Sequence, residues 1–338
     1  LFFNGRSRDS RSIRLLENYG AMSQELVYKV AERTHVGKVR KKNQDDVWHG
    51  QTPIGFFYVV ADGMGGHQGG EIASNLVVNL LMQRCARSDP NSDPIAIIKD
   101  SLFRANIEIF KKGALNPELY GMGSTAVAVL IKDGKAYVAH VGDSRIYLYR
   151  AGALHRLTID HTLVQMLIES GIMNEEEAKN HPRSHILNSA VGCHPDALVD
   201  ILPEAVKLQG GDVIMLCTDG LHGLVSDVHI ERVLARETTP DVMASDLIDM
   251  ALSAGGTDNV TVQVIKVIGP KEDPLPVPVP KHAPPPRDDI ENTKKIILNM
   301  QDNKRKEGPP VWMIIAIGTV IGLLVCLIMF YILWIAFV

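Results

Sequence analysis

Four aspartates stand where apolar runs end or begin. Asp62 closes FFYVVAD, Asp143 follows AHVG, Asp219 follows VIMLCT, and Asp258 opens DNVTVQV. A single Asp-Gly pair is ordinarily a turn former. Repeated after strand-like runs, the pattern says more, because the end of one antiparallel strand and the start of another share a sheet edge. Four carboxylates can then meet in one cleft. Ionised carboxylates at close range raise one another's pKa unless cations neutralise them. The candidate donors are all oxygens, with no Cys/His cluster, and hard oxygen sets select Mg²⁺ or Mn²⁺ over zinc or copper. The glycine-rich stretch 63–70 is no phosphate-cradling P-loop, since no Lys occurs between Asn43 and Ile98. Its glycines instead let the backbone come close to a metal, with a carbonyl as ligand. Upstream, Arg40 precedes Gln44 and Asp45 in a polar segment. Arginine suits bidentate phosphate binding, although a lone Arg is more often a solvated side chain.

These residues need elements to hold them. Strand-like runs rich in β-branched and aromatic residues fall at 55–61, 124–131, 136–141, 145–149, 212–218 and 260–268. Lys132 to Lys135, KDGK, reads as a hairpin turn. Helical periodicity marks 71–86, 94–111, 161–170, 227–235 and 241–253. Three strands in succession, and helices grouped rather than following every strand, predict an α+β fold of antiparallel sheets with helices packed outside.

The 338-residue chain carries a formal net charge of −4, with 46% hydrophobic and 22% charged residues, enough for a sizeable core. About −7 of that charge falls on residues 22–268, which excludes a nucleic-acid-binding body, because such surfaces need positive charge to displace counterions. Cys85, Cys193, Cys217 and Cys326 form no CxxC pair, so neither a disulfide framework nor a zinc ribbon is expected. From Val311 to Val338 there is no Asp, Glu, Lys, Arg, His, Asn or Gln. A helix of that length rises roughly 42 Å, more than a hydrocarbon core of about 30 Å requires. Lys294, Lys295, Lys304, Arg305 and Lys306 precede it, so the positive-inside rule predicts a C-terminal membrane anchor with a cytoplasmic body. The expected domains are an extension at 1–22, a catalytic domain at 23–268, a Pro-rich charged linker at 269–310 and a transmembrane helix at 311–338. The linker holds ten of the 18 prolines and reads as a semi-rigid spacer.

With these motifs in order, the chain resembles the metal-dependent protein serine/threonine phosphatases of type 2C, in their bacterial form, over residues 25–268. The resemblance rests on VGKVRKKNQDD, VADGMGGHQGGEIAS, GMGSTAVAVL, AHVGDSRIYLYR, LTIDHTLV, CTDGLHGLVSD and GGTDNVTV. It implies two stacked antiparallel sheets flanked by helices on both faces. It also implies hydrolysis of phosphoserine and phosphothreonine in proteins by a metal-activated water, opposing a serine/threonine kinase. In that reading Arg40 holds the substrate phosphate, Asp62 bridges two Mn²⁺ or Mg²⁺ ions, the Gly63 carbonyl binds one, and Asp219 and Asp258 complete the other. Asp45 acts through a metal-bound water, and Asp143 serves a third site. The partners implied are phosphorylated proteins and a cognate kinase, and the body is a monomer. This sequence departs from the family pattern at Gln44, where Glu is usual, and at Asn188 and Ser189, where Thr and Arg are usual. Met64 replaces the eukaryotic general-acid His, which leaves His67 as a weak substitute. A mobile flap is expected at 163–182. Two other readings stay open: a catalytically weak membrane-tethered phosphoprotein adaptor, and a phosphatase of a small metabolite. His140, His155 and His161 read as hydrogen-bonded structural histidines, and Cys217 as a core residue.

Overall fold

The computed structural model describes residues 26–65, 68–179, 181–270 and 273–282. Twelve strands among these residues form two sheets, and every pairing is antiparallel. One sheet runs β1 (Val27–His35), β12 (Val260–Ile268), β11 (Val213–Cys217), β7 (Arg145–Arg150) and β8 (Ala153–Arg156). The other runs β10 (Val206–Lys207), β6 (Lys135–Val141), β5 (Ala126–Lys132), β3 (Gly55–Met64) and β2 (Asp45–Thr52), with β4 (Gly123–Ser124) on β3 and β9 (Asp200–Ile201) on β6.

Side-chain alternation makes the layers. Along β3, Tyr58 and Val60 point into the core between the sheets, where they meet Ile146, Leu148, Ile214, Leu216 and Ile265 of the other sheet. Phe57, Val59 and Ala61 point the other way, onto α1 (Gly69–Ala86) and α2 (Pro94–Leu115). The outer face of the five-stranded sheet is covered by α6 (Asp227–Leu234) and α7 (Pro240–Ser253), with Met215, Val262 and Val264 against Ile230, Met243 and Leu247. This is the expected α+β architecture, two antiparallel sheets with helices on both outer sides.

Local chemistry starts the helices where the sequence indicates. Asp93 accepts from the Ile95 N–H ahead of α2, and Pro94 occupies a position whose N–H needs no partner. Thr162 caps α3 (Leu163–Glu169) through the Gln165 N–H, and Thr239 caps α7. The KDGK hairpin takes positive φ at both central residues, 51° at Asp133 and 69° at Gly134, the turn whose twist matches its strands. The strands not legible as apolar runs include β1 and β2. Both are sheet edges, where half-exposed, charged strands suffice. The acidic run at 175–177 opens the short exposed helix α4 (Glu175–Lys179). Residues 273–282 of the Pro-rich stretch lie on the body, with Val277 packed against the inter-sheet core. Among the described residues no helix is long and apolar enough to cross a membrane. The expected span at 311–338, the linker from 283 onward and the extension at 1–22 lie outside them.

Candidate metal centre

Register brings the first two carboxylates together. β2 and β3 pair so that Asp45 stands directly opposite Asp62. Two-residue alternation puts Asp45 on the face of Val47 and Asp62 on the face of Tyr58 and Val60, so both point toward the gap between the sheets, at its rim. Ends of the second sheet's strands, and the crossover from β6 to β7, supply the rest from the same rim. Asp219 opens α5 (Asp219–His222) after β11, Asp258 lies two residues before β12, and Asp143 follows β6. Hydroxyls stitch the two layers: Thr218 and Thr261 donate to Asp45 Oδ2 at 3.0 and 2.7 Å.

Burial and mutual repulsion act on Asp45, Asp62, Asp143 and Asp219. Burial, then the charges of Asp219 and Asp258, pushes the Asp45 pKa up to about 7 against two favourable hydroxyl bonds. Burial lifts Asp62 well above the ordinary carboxylate range, and Asp45, Asp219, Asp143 and Asp258 add to the effect. Asp143 is raised by burial and then by Asp219 and Asp160. Asp219 is raised by burial and then by Asp258, while a hydrogen bond with Asp62 and the charges of His185 and Arg40 partly offset this. Two buried oxygens, Asp45 Oδ1 and Asp219 Oδ1, have no hydrogen-bond partner. Buried acceptors are normally satisfied. Repelling carboxylates, orphaned oxygens and an all-oxygen donor set fit hard divalent cations.

The turn after β3 is shaped for close approach. A Cβ on Gly63 would lie 2.0 Å from the Gly70 carbonyl oxygen, and one on Gly70 would lie 2.5 Å from the Gly63 carbonyl oxygen and 2.6 Å from Gln44 Nε2. Glycine is required at both positions, and the start of α1 presses directly on the Asp62–Gly63 turn. Gln44 is held at this turn by its backbone: its carbonyl accepts from Gly63 N–H at 3.1 Å and from Ser74 Oγ at 2.6 Å. Its side-chain amide points at the glycine turn, with Nε2 3.5 Å from the Gly65 carbonyl oxygen. Arg40 reaches the same rim, where Nη2 donates to Asp258 Oδ2 at 2.7 Å with half the Arg side chain exposed. The guanidinium thus offsets one of the repelling carboxylates and keeps donors open to solvent. His67 lies outside the described residues.

Several positioning residues escaped the sequence reading. Asn259, buried beside Asp258, accepts from Gln44 N–H at 2.8 Å and donates to the Val36 and Lys42 carbonyls, both at 2.9 Å. It thereby pins the whole Arg40–Asp45 segment to the start of β12. Its adjacency to Asp258 in TDNV was the available signal. Thr125 Oγ1 accepts from Asp62 N–H at 2.9 Å and contacts Ser144 Oγ at 2.7 Å, which joins the Asp62 and Asp143 turns. His222 is pushed down to about 3 by burial and then by the Arg145 charge, so its neutral ring donates to the Asp143 carbonyl at 2.9 Å. No spacing rule marks Thr125 or His222. Cys217 is fully buried, as expected of a core residue.

The fold and site define an α+β protein of two stacked antiparallel sheets with a cluster of acidic oxygen donors at one rim that suits divalent cations. The sequence pattern described as Protein phosphatase 2C matches residues 29–166. The serine/threonine protein phosphatase PstP of Mycobacterium tuberculosis is 38% identical over 245 residues, which cover 72% of this chain and 46% of that protein. This chain therefore matches about half the length of that relative. The serine/threonine phosphatase stp of Listeria monocytogenes is 35% identical over 247 residues, covering 69% of this chain and 94% of that protein. The crystal structure of the M. tuberculosis phosphatase PstP/Ppp superposes with a TM-score of 0.65 at 35% identity, over 71% of this chain and 99% of that one. The PstP catalytic domain in complex with two manganese ions gives 0.64 at 35% identity, over 72% of this chain and 100% of that one. The chain belongs to the protein phosphatase 2C family.

Proposed function

We propose that the chain hydrolyses phosphoserine and phosphothreonine esters in proteins, using two Mn²⁺ or Mg²⁺ ions and possessing the donors for a third. The observation that carries this reading is the cluster of Asp45, Asp62, Asp143, Asp219 and Asp258 at one rim, with two of its buried oxygens unpartnered. The names of PstP and stp, both serine/threonine phosphatases, support the substrate class. Asp62, Asp219, Asp258 and the Gly63 carbonyl would hold the ions of the central pair, Asp45 and Gln44 would order their waters, and Asp143 would serve the third. Bound there, the ions would neutralise the carboxylates, activate water and polarise the phosphoryl group.

The chain's own residues do the rest. Arg40 binds the phosphate through its open guanidinium donors, exchanging part of its pairing with Asp258 for the substrate. Thr218 and Thr261 hold Asp45 in one rotamer, and Asn259 fixes the approach of Arg40, so the groups meet the ester already oriented. Phosphoproteins are the substrates in this reading, a serine/threonine kinase supplies them, and the body works as a monomer. In this reading residues 311–338 would cross a membrane, with the body on the cytoplasmic side. What supports this is 28 residues without a charged, His or amide side chain, behind a basic stretch. A phosphothreonine peptide assay on chelated protein decides the catalytic reading. Activity should be lost in chelator and restored by Mn²⁺, and Asp62→Asn should lower turnover by orders of magnitude. Full activity in chelator sinks it. Recovery of the full chain in the soluble fraction sinks the anchor.

A further inference from the structure

A second buried cluster lies away from the aspartate rim. His140, His161 and Asp200 are all buried, with ligand-type atoms within 4.8 Å of one another, and His282 from the Pro-rich stretch closes over them. Hydrogen bonding disfavours a metal here. The Gly142 N–H donates to His161 Nδ1 at 3.2 Å, so the ring proton of His161 sits on Nε2, which lies 3.1 Å from Asp200 Oδ2 without completing a hydrogen bond. His140 Nε2 faces the Ile159 carbonyl at 2.7 Å and donates to it. Asp200 is a buried carboxylate, and His282 lies against it. Its Nδ1 lies 2.6 Å from Asp200 Oδ2 and its Nε2 lies 3.0 Å from Glu169 Oε1 of α3. A carboxylate at each nitrogen favours the doubly protonated imidazole.

The approach of the chain to this point is equally specific. The Leu275 N–H donates to Gln209 Oε1 at 3.0 Å. The Leu275 carbonyl accepts from Arg150 at 3.0 Å, while the same guanidinium grips Asp212 through two further bonds of 2.9 and 2.6 Å. Val277 packs on the inter-sheet core. Alternating prolines at 274, 276, 278 and 280 hold this stretch extended before it docks, which lowers the entropy cost of docking. The stretch thus bridges the body and α3. α3 opens the excursion 163–187, whose base is closed by a bridge between Thr162 and Leu187, and whose His185 acts on Asp219.

We propose that residues 273–282 form a releasable strap, in which the His282 imidazolium clamps α3 to Asp200 and lets go when the ring loses its proton. The groups facing that ring are Asp200 on β9, Glu169 on α3, His161 at a ring-centroid distance of 5.4 Å, and Asp160. Burial opposes the charged form, and the bond to Asp200 with the charges of Glu169, Asp200 and Asp160 outweighs it, so the His282 pKa is raised. A raised histidine pKa stabilises the docked state fully below the ordinary value of about 6.5 and loses that contribution as pH climbs through the raised value. This inference does not depend on the phosphatase reading.

The test compares the full wild-type chain with His282→Gln and Glu169→Gln, the second at a half-exposed position that leaves the core intact. At pH 6 the His282→Gln thermal midpoint should fall by on the order of 2–4 °C or more, and the gap should close toward pH 9. Amide exchange at Leu275 and across 163–170 should be faster in both variants at pH 6. A midpoint gap that is the same at every pH overturns the proposal, as does unchanged Leu275 exchange in both variants. Stoichiometric zinc held by the wild type and lost in His282→Gln also overturns it, in favour of a metal site.

Discussion

At the scale of single residues, two positions decide how charge is arranged at the rim. Arg40 pairs with Asp258 while half its side chain faces solvent, so it can trade that carboxylate for a phosphate. Arg40→Ala should raise KM for a phosphothreonine peptide about ten- to a hundred-fold, since charge-assisted bonds contribute roughly 1.5–3 kcal/mol. Steady-state kinetics at saturating Mn²⁺ checks this, and unchanged KM and turnover would place Arg40 outside the site. Gln44 stands at the glycine turn without a charge. Gln44→Glu should tighten Mn²⁺ binding in a calorimetric titration by adding an anion beside raised carboxylates. Weaker binding would mean that the added charge only joins the repulsion.

At the scale of elements, the junction of β3 with α1 is the tightest piece of the site. The Gly63 carbonyl and the Gly70 backbone leave no room for a methyl group between them. Gly70→Ala should cost about 1–3 kcal/mol, the usual range for overpacking, and should weaken Mn²⁺ binding because the obstructing atom is the Gly63 carbonyl itself. Denaturant melts paired with metal titration measure both effects. A stable variant with unchanged metal affinity would show that the turn yields without moving the donors. The layered construction explains why such precision is possible: Asp45 hangs from one sheet and takes its hydroxyl partners, Thr218 and Thr261, from the other. The site is the seam of the sandwich, and its geometry is as rigid as the packing of the two sheets.

At the scale of the molecule, the carboxylate cluster links metal, pH and stability. A carboxylate whose folded-state pKa is raised above its unfolded value stabilises the fold at low pH and loses that contribution as pH rises through the folded value. For Asp45 that window runs from about 4 to about 7, and Asp62, Asp143 and Asp219 shift in the same direction. The chelated protein should therefore melt lower at pH 8 than at pH 5.5. Mn²⁺ should raise the midpoint more at pH 8, by an amount corresponding to about 2.7 kcal/mol at a hundred times its Kd. Thermal melts at both pH values with and without the ion check this. An Mn²⁺ effect of equal size at pH 5.5 and pH 8 would separate the ion from these carboxylates.

The sequence alone determined the architecture and most of the carboxylates gathered at the rim. β-branched runs with period-two burial and capped amphipathic helices are local signals, so β3, β5 to β7, β11, β12 and the longer helices were legible, as were Asp62, Asp143, Asp219 and Asp258 at their ends. Edge strands were not, because β1 and β2 bury only half a face and carry charges where a central strand carries valines. The partners of the donors were not legible either. Thr218 and Thr261 meet Asp45 across 173 and 216 residues of chain, and Asn259 reaches back to Lys42 across 217. The docking of 273–282 was hidden for a different reason. Proline alternation specifies an extended chain, but an extended chain has no preferred neighbour until a surface offers one. Here Gln209, Arg150, Asp200 and Glu169 make that surface, and only the packing of two sheets and a helix brings those four side chains to one side of the molecule.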